Sequence, residues 1–148
     1  MKKLLIAGVS LLLTQFTFAQ NRHEPPAPVR ESFQKEYPHS QPNQWIRSSA
    51  GWSVSFEDRD NDNGFVTAHF DSRGRHMDTH VRYDNHDVPD HVVKTVQDRY
   101  PGAEGYRYVH IERPYAPDLY EIRFRHRGRY RTTYLDENGR VAHYNGWR

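Results

Sequence analysis

Apolar positions along this chain follow one period, switch to another, and then repeat the whole series. Val29, Phe33 and Tyr37 lie four residues apart, forming one stripe along a three-turn helix. "WSVSF" at Trp52–Phe56 then alternates apolar with polar, the period of a half-buried strand. "FDSRGR" at Phe70–Arg75 sets Asp and Gly where a tight turn needs them. Downstream the order recurs: Val92, Val96 and Tyr100 each stand 63 residues after their counterparts, followed by "YEIRF" at Tyr120–Phe124 and "LDENGR" at Leu135–Arg140. Trp45 and Tyr108 match on a shorter, earlier strand. Differences in length fall in the loops: "RSSAG" is short where "HIERPYAPDL" is long, and "EDRDNDNG" is long where "RHRG" is short.

This pattern predicts an α+β protein built as a tandem repeat. Each copy is a helix followed by a four-stranded antiparallel meander, with the helices packed on one face of the sheet or sheets. The first copy spans 28–84 and the second 85–148. Pro38 and Pro101 follow the two tyrosines, and proline disfavours helix in the residue before it, so the helices should stop at Tyr37 and Tyr100. Pro28 and Pro89 suit a first helical turn, and Asp87 or Asp90 is placed to cap the second helix.

A helix ending in Tyr-Pro, a Trp strand, a Trp-x-Val-x-Phe strand and Phe-Asp-x-x-Gly-Arg, all in tandem over about residues 27–144, resembles the PepSY-like group of exported bacterial proteins. That group is often labelled β-lactamase-inhibitor-like. The resemblance implies two α+β modules and a non-enzymatic, protein-binding or inhibitory role. It carries over no set of functional residues.

The first nineteen residues read as a cleavable export signal. Lys2 and Lys3 precede the apolar run "LLIAGVSLLL", and Thr17 and Ala19 suit cleavage before Gln20. The run is too short to span a bilayer, which takes about 20 apolar residues. Residues 20–27, "QNRHEPPA", form an extended lead-in. With no cysteine anywhere, a lipoprotein anchor and disulfides are both impossible. The expected address is periplasmic or secreted, with no membrane span after cleavage.

Losing the signal removes two lysines and no acid from the precursor's 21 Lys+Arg, which brings it level with its 19 Asp+Glu. Global basicity therefore gives no reason to expect a nucleic-acid partner. Aromatic residues make up 14% of the chain, so rings must build the core of this disulfide-free protein.

Motifs for chemistry are absent. There is no cysteine nucleophile, Gly-x-Ser-x-Gly, Walker loop, His-Glu-x-x-His or dinucleotide glycine pattern, so no enzyme, no catalytic residue and no cofactor is expected. "HMDTH" spaces His76 and His80 as metal ligands on a helix. On a strand those positions lie about 13 Å apart, too far for one ion. His69 on the neighbouring strand, or His86 and His91 nearby, would be needed to complete a cluster, and a polar sheet face is the plainer reading. Asp58, Asp60 and Asp62 imitate the start of a calcium loop. The sixth position is Asn63 rather than Gly, and the twelfth is His69 rather than Glu. No metal site is assigned; these three aspartates with His69, His76 and His80 are the residues from which one would be built.

"EIRFRHRGRYRTTY" sets Arg123, Arg125, Arg127, Arg129 and Arg131 at alternate positions through a hairpin. Tyr120, Ile122 and Phe124 take the inner face, which turns Arg123 and Arg125 outward, and Tyr130, Thr132 and Tyr134 also face out. Arg131 then falls at an inward position. Arg and Tyr are the residue types enriched at protein-binding hot spots, and Arg grips carboxylates bidentately. Arg123, Arg125, Arg127, Arg129, Tyr130 and Tyr134 are the candidate binding surface. The plainer alternative is a solvated face with arginines paired to Glu121 or Glu137. The expected function is a non-catalytic module docking on an envelope or secreted protein, in the manner of a hydrolase inhibitor. The alternative is an envelope sensor or carrier of metal or small anions.

Overall fold

The computed structural model describes residues 24–59, 64–84 and 86–147; the expected export signal and the aspartates at 60 and 62 lie outside them. Nine elements follow one another: α1 (Ala27–Glu36), β1 (Pro42–Arg47), β2 (Trp52–Asp58), β3 (Gly64–Phe70), β4 (His76–Tyr83), α2 (Asp90–Arg99), β5 (Glu104–Glu112), β6 (Leu119–His126) and β7 (Arg129–Asp136). The strands form a single seven-stranded sheet in sequence order, with every neighbour antiparallel. The α+β class is as read. Two four-stranded meanders are not present: four strands follow α1 and three follow α2, and β4 pairs with β5 to join them.

The missing eighth strand has a physical cause. After the "LDENGR" turn the chain makes one isolated bridge, Leu135 to Val141, and one further bond from Ala142 N–H to the Tyr134 carbonyl. It then leaves the edge, and Tyr144 buries itself on the sheet face instead. Gly146 lies so close to the Tyr144 ring that a Cβ would sit 2.3 Å from it, so the tail folds tightly around that side chain.

Both helices lie on the same face. Val29 and Phe33 point down from α1 into a ring-rich core, where Phe33 meets Phe56 edge-on at 5.0 Å and Trp45 at 5.5 Å. Val92 and Val96 do the same from α2 onto Tyr108, Ile122 and Phe124. Each helix ends one residue before its tyrosine. Tyr37 and Tyr100 are C-caps with nearly identical backbone angles (φ −128°, ψ 67° and 66°), and each donates its N–H to the residue four back. Neither helix start has a side-chain cap: the Pro26 and Pro89 carbonyls take the first amide bonds, and the Asp87 carboxylate accepts from Asp84 N–H instead.

The two Asp-Gly turns are also built alike. Asp71 Oδ1 accepts from the backbone of Arg73 and Arg75, and Asp136 Oδ1 from Asn138 and Arg140. Gly74 adopts φ +87°, and a Cβ there would strike the Pro28 carbonyl at 2.4 Å, so α1 can sit directly on its turn only because that residue is glycine. The environments of the two tyrosines do differ: Tyr37 is buried with its hydroxyl bonded to Thr79, whereas Tyr100 is half-buried against Phe124 at 4.6 Å.

Removing the central ring of the first core should therefore cost most. Phe33→Ala is expected to destabilise the fold by about 3–5 kcal/mol, and Tyr100→Ala by clearly less. Urea unfolding followed by circular dichroism measures both, and equal losses would contradict the packing described.

Candidate functional site on the open sheet face

Because strand side chains alternate, covering one face with helices leaves the other face to the solvent and the tail. The register identifies that open face. Ser53, His69 and Asp78 stand in one row across β2, β3 and β4, and His80 pairs with Ile111. Val109 stands across from Glu121, Arg107 from Arg123, and Arg125 from Tyr130. Two functional candidates share this face.

The first is a polar cluster under the tail. His69 and Asp78 are 5% and 2% exposed, unusually deep for such residues. His69 Nδ1 donates to Asp78 Oδ1 at 2.6 Å, and the Tyr144 hydroxyl donates to Asp78 Oδ2 at 2.7 Å. His80 Nε2 lies 3.3 Å from the same carboxylate and 3.2 Å from Tyr144 Oη, which also accepts from Trp147 N–H. The Trp147 ring stacks on His69 at 4.9 Å, and Ile111, Leu119 and Tyr144 form a small apolar core beside it. Burial alone would disfavour the Asp78 charge. The bonds from His69, His80 and Tyr144 outweigh that and hold its carboxyl well below the ordinary range. Burial pushes the His69 imidazole down, against the pull of Asp78. Burial and the adjacent carboxylate push the Tyr144 phenol up.

Of the histidines singled out in the sequence, His69 and His80 come together and His76 does not. A β-bulge between His69 and Phe70 shifts the register, so Phe70 faces His76 while His69 faces Asp78. His76 therefore turns to the helix side, where its ring meets Phe70 and Tyr37 and Nε2 bonds Thr79 Oγ1 at 2.9 Å. Of Asp58, Asp60 and Asp62 only Asp58 is among the described residues; it is buried at the end of β2. Asp78, Tyr144 and Trp147 were missed, although Asp78 sits in the middle of "HMDTH". Ser53, His69 and Asp78 are the residue types of a hydrolytic triad, but the Ser53 hydroxyl is directed at the Ile46 carbonyl, 3.5 Å away, and not at His69. The contact between nucleophile and base that acyl transfer needs is not made.

The second candidate is the arginine hairpin. Arg123 and Arg125 point to the open face as read, and Tyr130, with 90% of its surface exposed, stands beside Arg125. Arg127 and Gly128 form the two-residue turn with φ 51° and 75°. Arg129 and Arg131 are exposed on the edge strand β7. Arg129 pairs with His126 and Arg131 with Phe124, so both lie on the helix side rather than beside Arg123 and Arg125; at this edge no helix covers them. Tyr134 is not free: its hydroxyl donates to the buried Glu121, which Arg123 Nε also contacts. Arg125 approaches Glu104 at 3.9 Å, and Arg107, Arg127 and Arg129 make no ion pair among the described residues. Arg107, Arg123, Arg125 and Tyr130 border a cleft of about 420 Å³.

The architecture has solved counterparts. A DUF2874 family protein from Bacteroides ovatus superposes with a TM-score of 0.71 at 16% identity, over 83% of this chain and 88% of that one. A second DUF2874 family protein, from Bacteroides uniformis, gives 0.71 at 14% identity over 83% and 90%. A BLIP-like (β-lactamase-inhibitor-like) protein from Bacteroides fragilis gives 0.69 at 16% identity over 83% and 86%. The likeness is one of fold. No protein-family model matches the chain, and no curated protein matches it in sequence. Among the described residues no helix is long and apolar enough to cross a membrane.

The buried cluster predicts acid sensitivity with a definite sign. His69 and His76 titrate below their ordinary 6.5 when folded, so the stability they contribute is complete above that pH and is lost as pH falls through their folded values. Asp78 adds a second loss as pH falls below its ordinary 3.8. Urea midpoints should drop between about pH 7.5 and pH 5. His69→Asn, whose amide nitrogen can take the place of Nδ1 in donating to Asp78 but takes up no proton, should flatten part of that slope.

Proposed function

We propose that this protein is a non-catalytic, exported binding module whose open sheet face docks on an acidic surface of an envelope or secreted protein. The observation that carries this reading is the Arg107–Arg123 pair. Two guanidinium groups directly opposite on neighbouring strands repel one another, and the nearest buried acid, Glu121, already serves Arg123. With Arg125 and Tyr130 beside them, they form an exposed cationic and aromatic surface to which carboxylates on a partner would bring the missing charge.

Several further points belong to the same proposal. The chain is of the PepSY-like, β-lactamase-inhibitor-like kind, and its two helix-plus-strand units, 28–84 and 85–148, descend from a duplication. The matched tyrosine caps and Asp-Gly turns support that descent. Export follows cleavage after Ala19. A structural neighbour from Bacteroides eggerthii with a TM-score of 0.71 and 13% identity carries a provisional periplasmic designation, which agrees with this address. The BLIP-like neighbour makes a secreted hydrolase the first partner to test.

Charge reversal tests the surface. Arg107→Glu/Arg125→Glu, which spares the Arg123 contact with buried Glu121, should abolish recovery of envelope partners that the wild-type protein retains, while its unfolding free energy stays within about 1 kcal/mol of wild type, as for exposed pairs. Equal recovery by both proteins would remove the hairpin from the interface. Hydrolysis of a chromogenic β-lactam, with and without the protein, separates inhibition from mere binding.

A further inference from the structure

We infer that His69, Asp78 and His80, with the Tyr144 phenol against them, form a binding site for a divalent transition-metal ion, of which zinc is the first to try. One ligand atom from each of the first three residues lies within 4.8 Å of the other two. Two imidazoles and a carboxylate are a donor set that zinc takes readily, with a fourth position left for another oxygen. The strands supply the placement: Asp78 and His80 are two apart on β4 and share a face, and His69 faces Asp78 from β3. Only the bulge makes this triangle possible.

The existing hydrogen bonds show how an ion would enter. Three hydrogens, from His69 Nδ1, His80 Nε2 and Tyr144 Oη, converge on the one Asp78 carboxylate. In a tetrahedral zinc site, with bonds of 2.0–2.1 Å, ligand atoms stand roughly 3.4 Å apart. The His80–Asp78 separation of 3.3 Å already matches that edge, and the His69–Asp78 contact of 2.6 Å has to open by less than 1 Å. Each imidazole then bonds the metal through the nitrogen that now carries its proton, and the proton moves to the other ring nitrogen through solvent. Both rings stay neutral, Tyr144 keeps its proton as a neutral donor, and the Asp78 carboxylate supplies the negative charge.

Access is governed by the tail. Trp147 lies on His69, and Tyr144 closes the other side through Asp78 and His80. Pairing with the sheet beyond β7 amounts to one bridge at Val141 and one bond at Ala142, so lifting residues 141–147 opens the site while the seven-stranded ladder stays intact. Occupancy of the site and the position of the C-terminal tail are therefore linked, and Trp147 reports on both.

Isothermal titration of the full chain with zinc chloride, followed by titration of variants, tests the assignment. One strong site per chain is expected. His80→Ala, at a half-buried position, should weaken it by more than about tenfold, since even changes to outer-shell partners of metal ligands cost that much. His86→Ala and His126→Ala, outside the cluster, should leave it unchanged. Cobalt(II) should give the visible absorption of a four-coordinate site in the wild type, and this holds the assignment to account even where a variant folds poorly. Zinc should also change tryptophan emission in the wild type and not in Trp147→Phe. No binding up to about 1 mM zinc, or binding that His80→Ala leaves untouched, would overturn the site.

Discussion

Seven strands in sequence order have two faces, and two short helices can cover only one of them. Strict alternation of side chains then divides every strand into a half that sees rings and a half that must find other company. On the helix side the answer is aromatic: Phe33, Phe56, Phe70, Phe124 and Tyr108 are among the most deeply buried side chains. On the open side it is polar and partly improvised, with a buried carboxylate gathering hydrogens at one place and exposed arginines gathering at another. Both candidate sites exist because the helices lie elsewhere.

The two sites differ in what holds them. The Asp78 cluster is dry and mutually satisfied; the energetic risk of burying an ionised group is offset because three donors meet it. The arginine hairpin is wet: apart from the Arg123 contact with buried Glu121, its ion pair, Arg125 with Glu104, is exposed, so the folded state gains little from it. A satisfied buried network suits a fixed constellation, while an exposed cationic surface suits encounter with something charged. Tyr134 links them: its ring packs on Tyr144 at 5.3 Å, and its hydroxyl bonds Glu121 beside Arg123.

Much of this was legible from residue patterns. The helices, their ends at Tyr37 and Tyr100, the inner residues of β2 and β6, and the outward Arg123 and Arg125 follow from periodicity and proline placement alone. The bulge did not. Continuing the ladder from Phe70–His76 without it would set Met77 opposite His69; slipping by one residue sets Asp78 there and sends His76 to the other side. A bulge is a local choice of backbone that leaves no period in the sequence. The tail was misread for a related reason. "VAHYNGW" has the apolar content of a strand, yet the hydroxyl of Tyr144 finds a carboxylate 66 residues away, and no local pattern encodes a partner so remote.

The outermost ribbon of the sheet carries one more consequence. Beyond the bridge at Leu135, the margin of β7 is bare, and a bare margin invites a second copy of the chain to zip alongside. Arg129 and Arg131 are posted along that stretch, exposed and of like sign. Two such margins brought together would crowd four cations into a single seam, so these two arginines serve as gatekeepers against self-stacking.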